Sequence, residues 1–289
     1  MVLVTTDTSG GNPTAVRDLF AAGPLPTTAK GRMLWYVRQP FILPSRSLLG
    51  SRRIRSHVDR NTTPASWRED FSCRSTLVVG TGPSLDRVDQ SFFARFQTII
   101  YINFALQRAT YQRPEYYFTT DIMPTRDIVV KMGPACLTQL GRDRCIFAPF
   151  FLDQWYLLTP EGRELFTWLS SDSSCWTGQT FKTLPLPLIW RYSPRQPVWT
   201  SLKLPTAERT IPILRHTSAL TAVLFAALQG SREIGLIGCD FSAGRAHSIA
   251  AAQPGATTNI FSEAIGELSA MTEALSWRGV TVTNHSWLV

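Results

Sequence analysis

A short run of glycine, hydroxyl and proline residues near position 80 is suited to holding an anion. Thr76 to Val79 is β-branched and aliphatic, and it ends at Gly80-Thr81-Gly82-Pro83-Ser84. This pattern predicts a buried strand that enters a loop. Two glycines that flank one residue allow the backbone to approach a ligand, and their amides can bind a phosphate. The alternative is a Gly-Pro connection without a ligand, because short glycine motifs often occur by chance.

A second group of polar residues flanks an apolar segment near position 220. Ser218 to Gln229 is apolar on nearly every side, which predicts a buried helix with Thr217 or Ser218 as its cap. Glu233 to Gly238 is then a central strand, and Asp240 follows its end. Hydroxyls and free amides at a helix start can bind an anion. Alternatively, Thr217 and Asp240 are only caps of local structure.

The elements that would position these residues follow the order expected of a parallel sheet. Further strands are predicted at residues 98–102, 116–119 and 144–147, with helical stretches between them. Asn103 follows the second strand, and Thr120 and Asp121 follow the third. Ligands of such sheets bind at the carboxyl ends of the strands. The sequence therefore predicts an α/β, Rossmann-like, mainly parallel sheet with a ligand at that edge.

Composition divides the 289 residues into an extension and one larger domain. Residues 1–70 are basic and rich in Pro, Ser and Thr, whereas residues 71–289 carry the α/β pattern, with an aromatic insertion at 150–210 and a lid at 242–260. Aromatic, aliphatic and arginine residues within 31–60 favour an anionic membrane surface. The alternative is a strap that packs on the domain.

Charge and cysteine usage argue against several classes of protein. The formal net charge is +8, but the arginines are spread along the chain without a recognition motif, so no nucleic-acid partner is expected. Five cysteines without a Cys-x-x-Cys pair predict reduced thiols and no metal site. The sequence shows no secretion signal and no run of about 20 apolar residues. We therefore expect a cytoplasmic protein, peripheral at the inner face of the membrane if residues 31–60 bind lipid.

Taken in order, these motifs resemble those of the bacterial sialyltransferases of glycosyltransferase family 42. The resemblance covers about residues 75–289 and rests on Gly80-Thr81-Gly82-Pro83-Ser84-Leu85, Asn103, Arg215-His216-Thr217-Ser218 and Ile237-Gly238-Cys239-Asp240-Phe241. Motility accessory factors, which glycosylate flagellin, and a pterin pyrophosphokinase family are similar in their Gly-Pro-Ser-Leu loop. The resemblance implies the sialyltransferase-type variant of the GT-A fold. It also implies inverting transfer of a sialic-acid-type sugar from a CMP donor to a cell-surface glycan, as in lipopolysaccharide or capsule biosynthesis.

The same resemblance implies roles for individual residues and no cofactor or metal. The glycine loop would hold the nucleotide phosphate and ribose, and the residues after the second and third strands would contact the donor. The helix start would bind the donor carboxylate, and the end of the last strand in the motif set would face cytidine. The implied substrate-binding residues are Gly80, Thr81, Gly82, Pro83, Ser84, Asn103, Thr120, Asp121, Thr217, Ser218, Asp240 and Phe241.

The sequence departs from the family pattern in its loop and lid. Thr81 stands where the family has asparagine, and Ser242 where it has tyrosine. No tyrosine follows Tyr192, and the family's lid histidine would fall near Asn259. The groups that assist the leaving phosphate and accept the proton in that family are therefore missing at their usual positions.

Other lid residues could supply this chemistry. Arg245 could offset charge on the departing phosphate, and His247 could take the proton of the acceptor hydroxyl. His216 and His285 are weaker candidates for the base. Two alternatives stay open: a pterin pyrophosphokinase-like enzyme, and a catalytically inactive nucleotide-sugar-binding homologue. A homo-oligomer is a further expectation.

Overall fold

The computed structural model of the protein describes residues 65–119, 122–141, 144–147, 161–162, 217–242, 244, 246–249 and 258–288. Most of the predicted extension and of the aromatic insertion lies outside these ranges. The candidate residues Thr120, Asp121, Arg215, His216 and Arg245 also lie outside the described residues.

A six-stranded, all-parallel sheet forms the centre of the described part. Its strands are β1 (Ser75–Val79), β2 (Thr98–Ile102), β3 (Glu115–Thr119), β4 (Cys145–Phe147), β5 (Glu233–Ile237) and β6 (Thr281–Asn284). They lie in the order β4-β3-β2-β1-β5-β6. The chain thus moves outward from β1 to β4 and then returns to place β5 on the other side of β1. This reversal between β1 and β5 is a topological switch point, where open parallel sheets bind their ligands.

The six parallel strands confirm the predicted α/β, Rossmann-like sheet. The strands are aliphatic because a parallel sheet is buried on both faces. Side chains alternate along β1, so Leu77 and Val79 join one core and Val78 joins the other. The first core packs against α2 (Gln90–Ala94), α3 (Ile122–Met132) and α4 (Ala135–Thr138). The second packs against α1 (Ala65–Phe71), α5 (Ser218–Leu228) and α6 (Thr258–Ser276).

Helix α5 is the apolar helix that the sequence predicts, and its cap is Thr217. The Thr217 hydroxyl accepts a hydrogen bond from the amide of Leu220 at 3.3 Å. The other end of α5 meets the beginning of β1, since the amide of Cys73 donates to the carbonyl of Gly230 at 2.9 Å. Eleven helical residues and five strand residues both span about 16 Å. The start of α5 therefore lies at the carboxyl edge of the sheet.

Helix α6 changes the predicted end of the lid. The lid was expected at 242–260, but residues 258–260 already belong to the 19-residue α6. Asn259 therefore lies in the first turn of that helix. Within the described ranges, no helix is long and apolar enough to cross a membrane.

Candidate functional site

The candidate site lies at the carboxyl edge of the sheet, around the switch point. The loop Gly80–Ser84 follows β1, and Asp240 follows β5. Asn103 follows β2, and Thr217 begins α5 at the same edge. The structure thus brings these four features to one edge.

The two loop glycines have a different function from the one that the sequence suggests. The amide of Gly80 donates to the carbonyl of Ile237 at 2.7 Å, and that of Gly82 donates to the carbonyl of Gly238 at 2.7 Å. The expectation that these two amides bind a phosphate is therefore wrong. A Cβ at Gly80 would overlap the carbonyl oxygen of Gly238, and one at Gly82 would overlap the carboxylate of Asp240. Glycine is required because the loops after β1 and β5 are in contact.

The buried side chain of Ser84 and the partly buried carboxylate of Asp240 link these two loops. The Ser84 amide donates to Oδ1 of Asp240 at 3.1 Å, and the Ser84 hydroxyl donates to Oδ2 at 2.8 Å. The same hydroxyl accepts from the amide of Gly238 at 3.0 Å. Because the Ser84 side chain is 0% exposed, it cannot reach a ligand in this arrangement. The carboxylate of Asp240 thus binds the beginning of the 3₁₀ turn Pro83–Arg87, which lies earlier in the chain and not in the segment after β5.

Thr81 is the loop residue that remains open to a ligand. It is partly exposed, and its carbonyl accepts from the amide of Ala246 at 2.9 Å. Among the described residues, neither its amide nor its hydroxyl has a hydrogen-bond partner. Both groups could therefore donate to an anion at this edge.

Asn103 presents an amide donor beside this loop. Its backbone has a φ of 49°, a left-handed conformation that asparagine tolerates better than most residues. Its Oδ1 accepts from the hydroxyl of Thr119 at 2.9 Å, whereas its Nδ2 finds no acceptor within the part that the structure describes. Sequence reasoning did not select Thr119. Thr119 lies opposite Asn103 because Ile102 of β2 pairs with Phe118 of β3, and the sequence carries no local signal for this register.

The aromatic residue after Asp240 is not open to a nucleoside. Phe241 is 8% exposed, and its ring packs against Trp287 with the ring centroids 6.4 Å apart. Its φ of 49° turns the chain so that this side chain enters the core. The expectation that the Phe241 ring faces cytidine is therefore not met.

The candidate base His247 lies in a short segment attached to the site loop. Asp86 accepts hydrogen bonds from the amides of His247 and Ser248, the latter at 3.1 Å. Partial desolvation raises the pKa of Asp86. Hydrogen bonds from the side chain and backbone of Ser248 and from His247 lower it by more, so that the pKa lies below its ordinary value. The imidazole of His247 remains exposed. Sequence reasoning missed Asp86, because its partners lie about 160 residues away.

His285 is part of an aromatic cluster. Its ring centroid lies 5.3 Å from that of Phe92 and 5.9 Å from that of Phe96. Burial, followed by the charge of Arg95, lowers the pKa of His285. These contacts favour a packing role over that of a base at the sheet edge.

Comparisons with known proteins add no assignment. No protein-family model matches the chain, and no curated protein gives a significant match. In the described ranges, no group of three or more His, Cys, Asp or Glu residues could hold a metal ion. The geometry of the carboxyl edge is therefore the basis for a proposed function.

Proposed function

We propose that the protein is a CMP-sugar-dependent glycosyltransferase of the sialyltransferase type, with its donor at the carboxyl edge between β1 and β5. The observation that supports this is that Thr81, Asn103 and the start of α5 all lie at the carboxyl edge of the sheet, around a topological switch point. Nucleotides bind parallel sheets at such points. The donor groups at this edge suit a ligand with several anionic and hydroxyl groups.

In this proposal the phosphate is bound without the amides of Gly80 and Gly82, because these amides donate to the carbonyls of Ile237 and Gly238. The amide and hydroxyl of Thr81 bind the phosphate, and Nδ2 of Asn103 donates to the phosphate or the ribose. The amides at the beginning of α5, with Thr217 and Ser218, bind the carboxylate of an acid sugar. A helix of this length carries partial positive charge at that end, which stabilises an anion.

The transfer is a direct displacement with inversion. A base removes the proton of the acceptor hydroxyl, its oxygen bonds to the anomeric carbon, and the bond from that carbon to the phosphate oxygen breaks to release CMP. His247 is the proposed base because its imidazole is exposed and its backbone is tied through Asp86 to the turn after the site loop. Arg245 is the proposed partner of the departing phosphate. The acceptor in this proposal is a cell-surface glycan.

The substitution Asn103→Asp tests the donor site. An aspartate keeps the oxygen that accepts from Thr119 and tolerates the left-handed backbone, but it replaces the Nδ2 donor with negative charge. We expect CMP affinity, measured by isothermal titration, to fall about tenfold or more, since one donor is lost and a like charge faces the phosphate.

Gln97→Glu is the matched control. Gln97 lies at the opposite edge of the sheet, and its Oε1 accepts from the amide of Ser75 at 3.3 Å, so the same amide-to-carboxylate change keeps the acceptor. An equal loss of CMP affinity in Asn103→Asp and Gln97→Glu would contradict the proposed position of the donor. Stabilisation of the wild type by ATP and magnesium but not by CMP would instead favour the pyrophosphokinase alternative. Binding of a CMP-sugar without turnover would favour the inactive homologue.

A further inference from the structure

The turn that follows β6 lies at the same edge as the candidate site. Asn284, the last residue of β6, pairs with Leu236 of β5, so the turn His285–Trp287 lies level with the segment that follows β5. Two hydrogen bonds hold it there. The amide of Cys239 donates to Oγ of Ser286 at 2.9 Å, and Nδ2 of Asn284 donates to the carbonyl of Cys239 at 3.1 Å. The turn also packs against the 3₁₀ turn Pro83–Arg87.

Trp287 therefore places an indole ring next to the loop after β5, in a turn that packs against the turn Pro83–Arg87 after β1. The ring is 52% exposed, although it rests on Phe241, which is 8% exposed. The two rings meet edge-on, with an angle of 61° between their planes. A large aromatic ring that is anchored by such a contact and still half exposed is a suitable surface for another planar group.

The polar groups of this turn indicate which kind of planar group the Trp287 ring would bind. The side chain of Asn284 and the hydroxyl of Ser286 are both engaged in holding the turn. The turn therefore offers an aromatic surface and few free polar groups to a base. Stacking requires only the π face of the base, and it contributes strongly to nucleotide binding in other proteins.

We propose that Trp287 is the platform on which the pyrimidine base of the bound nucleotide stacks. This inference depends on the proposed function and extends it to the base. The donor then lies with its base on Trp287 and its phosphate at Thr81. Phe241, for which the family resemblance implied contact on the cytidine side, supports that platform from within the core.

The experiment compares Trp287→Ala with Trp277→Ala, using CMP and ribose 5-phosphate as probes. Trp277 is a matched control because it is 84% exposed and follows α6 at the opposite edge of the sheet. The next residue, Arg278, marks this edge, because its carbonyl accepts from the guanidinium of Arg232, the residue that precedes β5. We expect Trp287→Ala to weaken CMP binding about tenfold and to leave ribose 5-phosphate unaffected. Trp277→Ala should change neither affinity.

NMR spectra of the indole N–H groups are recorded beside the affinity measurements. The indole N–H signal of Trp287, assigned by its absence in Trp287→Phe, should shift on addition of CMP and stay in place with ribose 5-phosphate. Trp287→Phe keeps an aromatic ring and should retain CMP affinity within about threefold. This variant also guards against misfolding of the alanine variant.

Two results would overturn the inference alone. The first is CMP binding that is sensitive to Asn103→Asp but unchanged in Trp287→Ala, with an unmoved indole signal. The second is an equal loss of CMP and ribose 5-phosphate in Trp287→Ala, which would mean that the ring shapes the site without stacking. If the wild-type protein binds neither probe, the proposed function fails, and the inference fails with it.

Discussion

The substitution Ser84→Ala tests the contact between the two loops at the switch point. The Ser84 hydroxyl lies 2.8 Å from Oδ2 of Asp240 and 3.0 Å from the amide of Gly238, and the side chain is fully buried. Alanine fits the same space but removes both hydrogen bonds. The amide of Gly238 is then left buried without its acceptor, while Asp240 keeps its hydrogen bond from the Ser84 amide.

The expected loss follows from these contacts. A buried donor left without a partner costs about 1–3 kcal/mol, and a hydrogen bond to a charged group contributes about 1.5–3 kcal/mol. Asp240 is only partly buried, and water replaces some of the lost interaction. We therefore expect the free energy of unfolding to fall by about 3 kcal/mol, a large fraction of the stability of an ordinary domain.

Urea denaturation followed by tryptophan fluorescence measures this loss, provided that the slope of the transition is the same in both proteins. Ser91→Ala is the matched control, since the Ser91 hydroxyl also donates to a carboxylate, that of Asp89, at 2.6 Å. That pair is exposed, and the control variant should unfold at the same urea concentration as the wild type. Equal stability of Ser84→Ala and Ser91→Ala would refute the reasoning that a buried network joins the two loops.

Two further predictions concern titratable groups. Because the pKa of Asp86 is lowered in the folded protein, the stabilising effect of its ionised carboxylate is present above the ordinary carboxyl pKa and is lost as the pH falls through the lower pKa of the folded state. Hydrogen exchange of the His247 and Ser248 amides should therefore accelerate at acid pH relative to that of Ala246, and equal protection of all three would contradict this. Burial, followed by the charge of Asp240, raises the pKa of Cys239 to about 12, whereas Cys73 is exposed. Iodoacetamide at pH 8 should modify Cys73 and leave Cys239 intact in peptide mass spectra, and equal modification of both would show that the loop after β5 opens readily.

The strands and the apolar helix could be predicted from the sequence because their signals are local. β2 has the predicted bounds, and β1 begins one residue earlier than predicted. The Thr217 cap was predictable for the same reason, since its hydrogen-bond partner lies three residues away. The 19-residue α6 was not predicted, and the residues at its start were assigned to a lid instead.

The candidate site was predictable in position but not in detail. A polar residue after a strand must lie at the carboxyl edge of a parallel sheet, so the edge location of Asn103 and Asp240 follows from their place in the sequence. The direction in which an amide or a hydroxyl donates depends on the neighbouring strand. Ser84 and Asp240 are 156 residues apart, and no local pattern indicates that they form a hydrogen-bonded pair.

The amino-acid sequence alone determined which segments form strands and which residues end them, because side-chain periodicity and turn residues act over a few positions. Only the tertiary structure decided that the amides of Gly80 and Gly82 donate to carbonyls at the end of β5 and directly after it, and that Thr81 remains open. The physical reason is that backbone donors away from water are satisfied by the nearest acceptor in space, and here the acceptors belong to a segment distant in the chain.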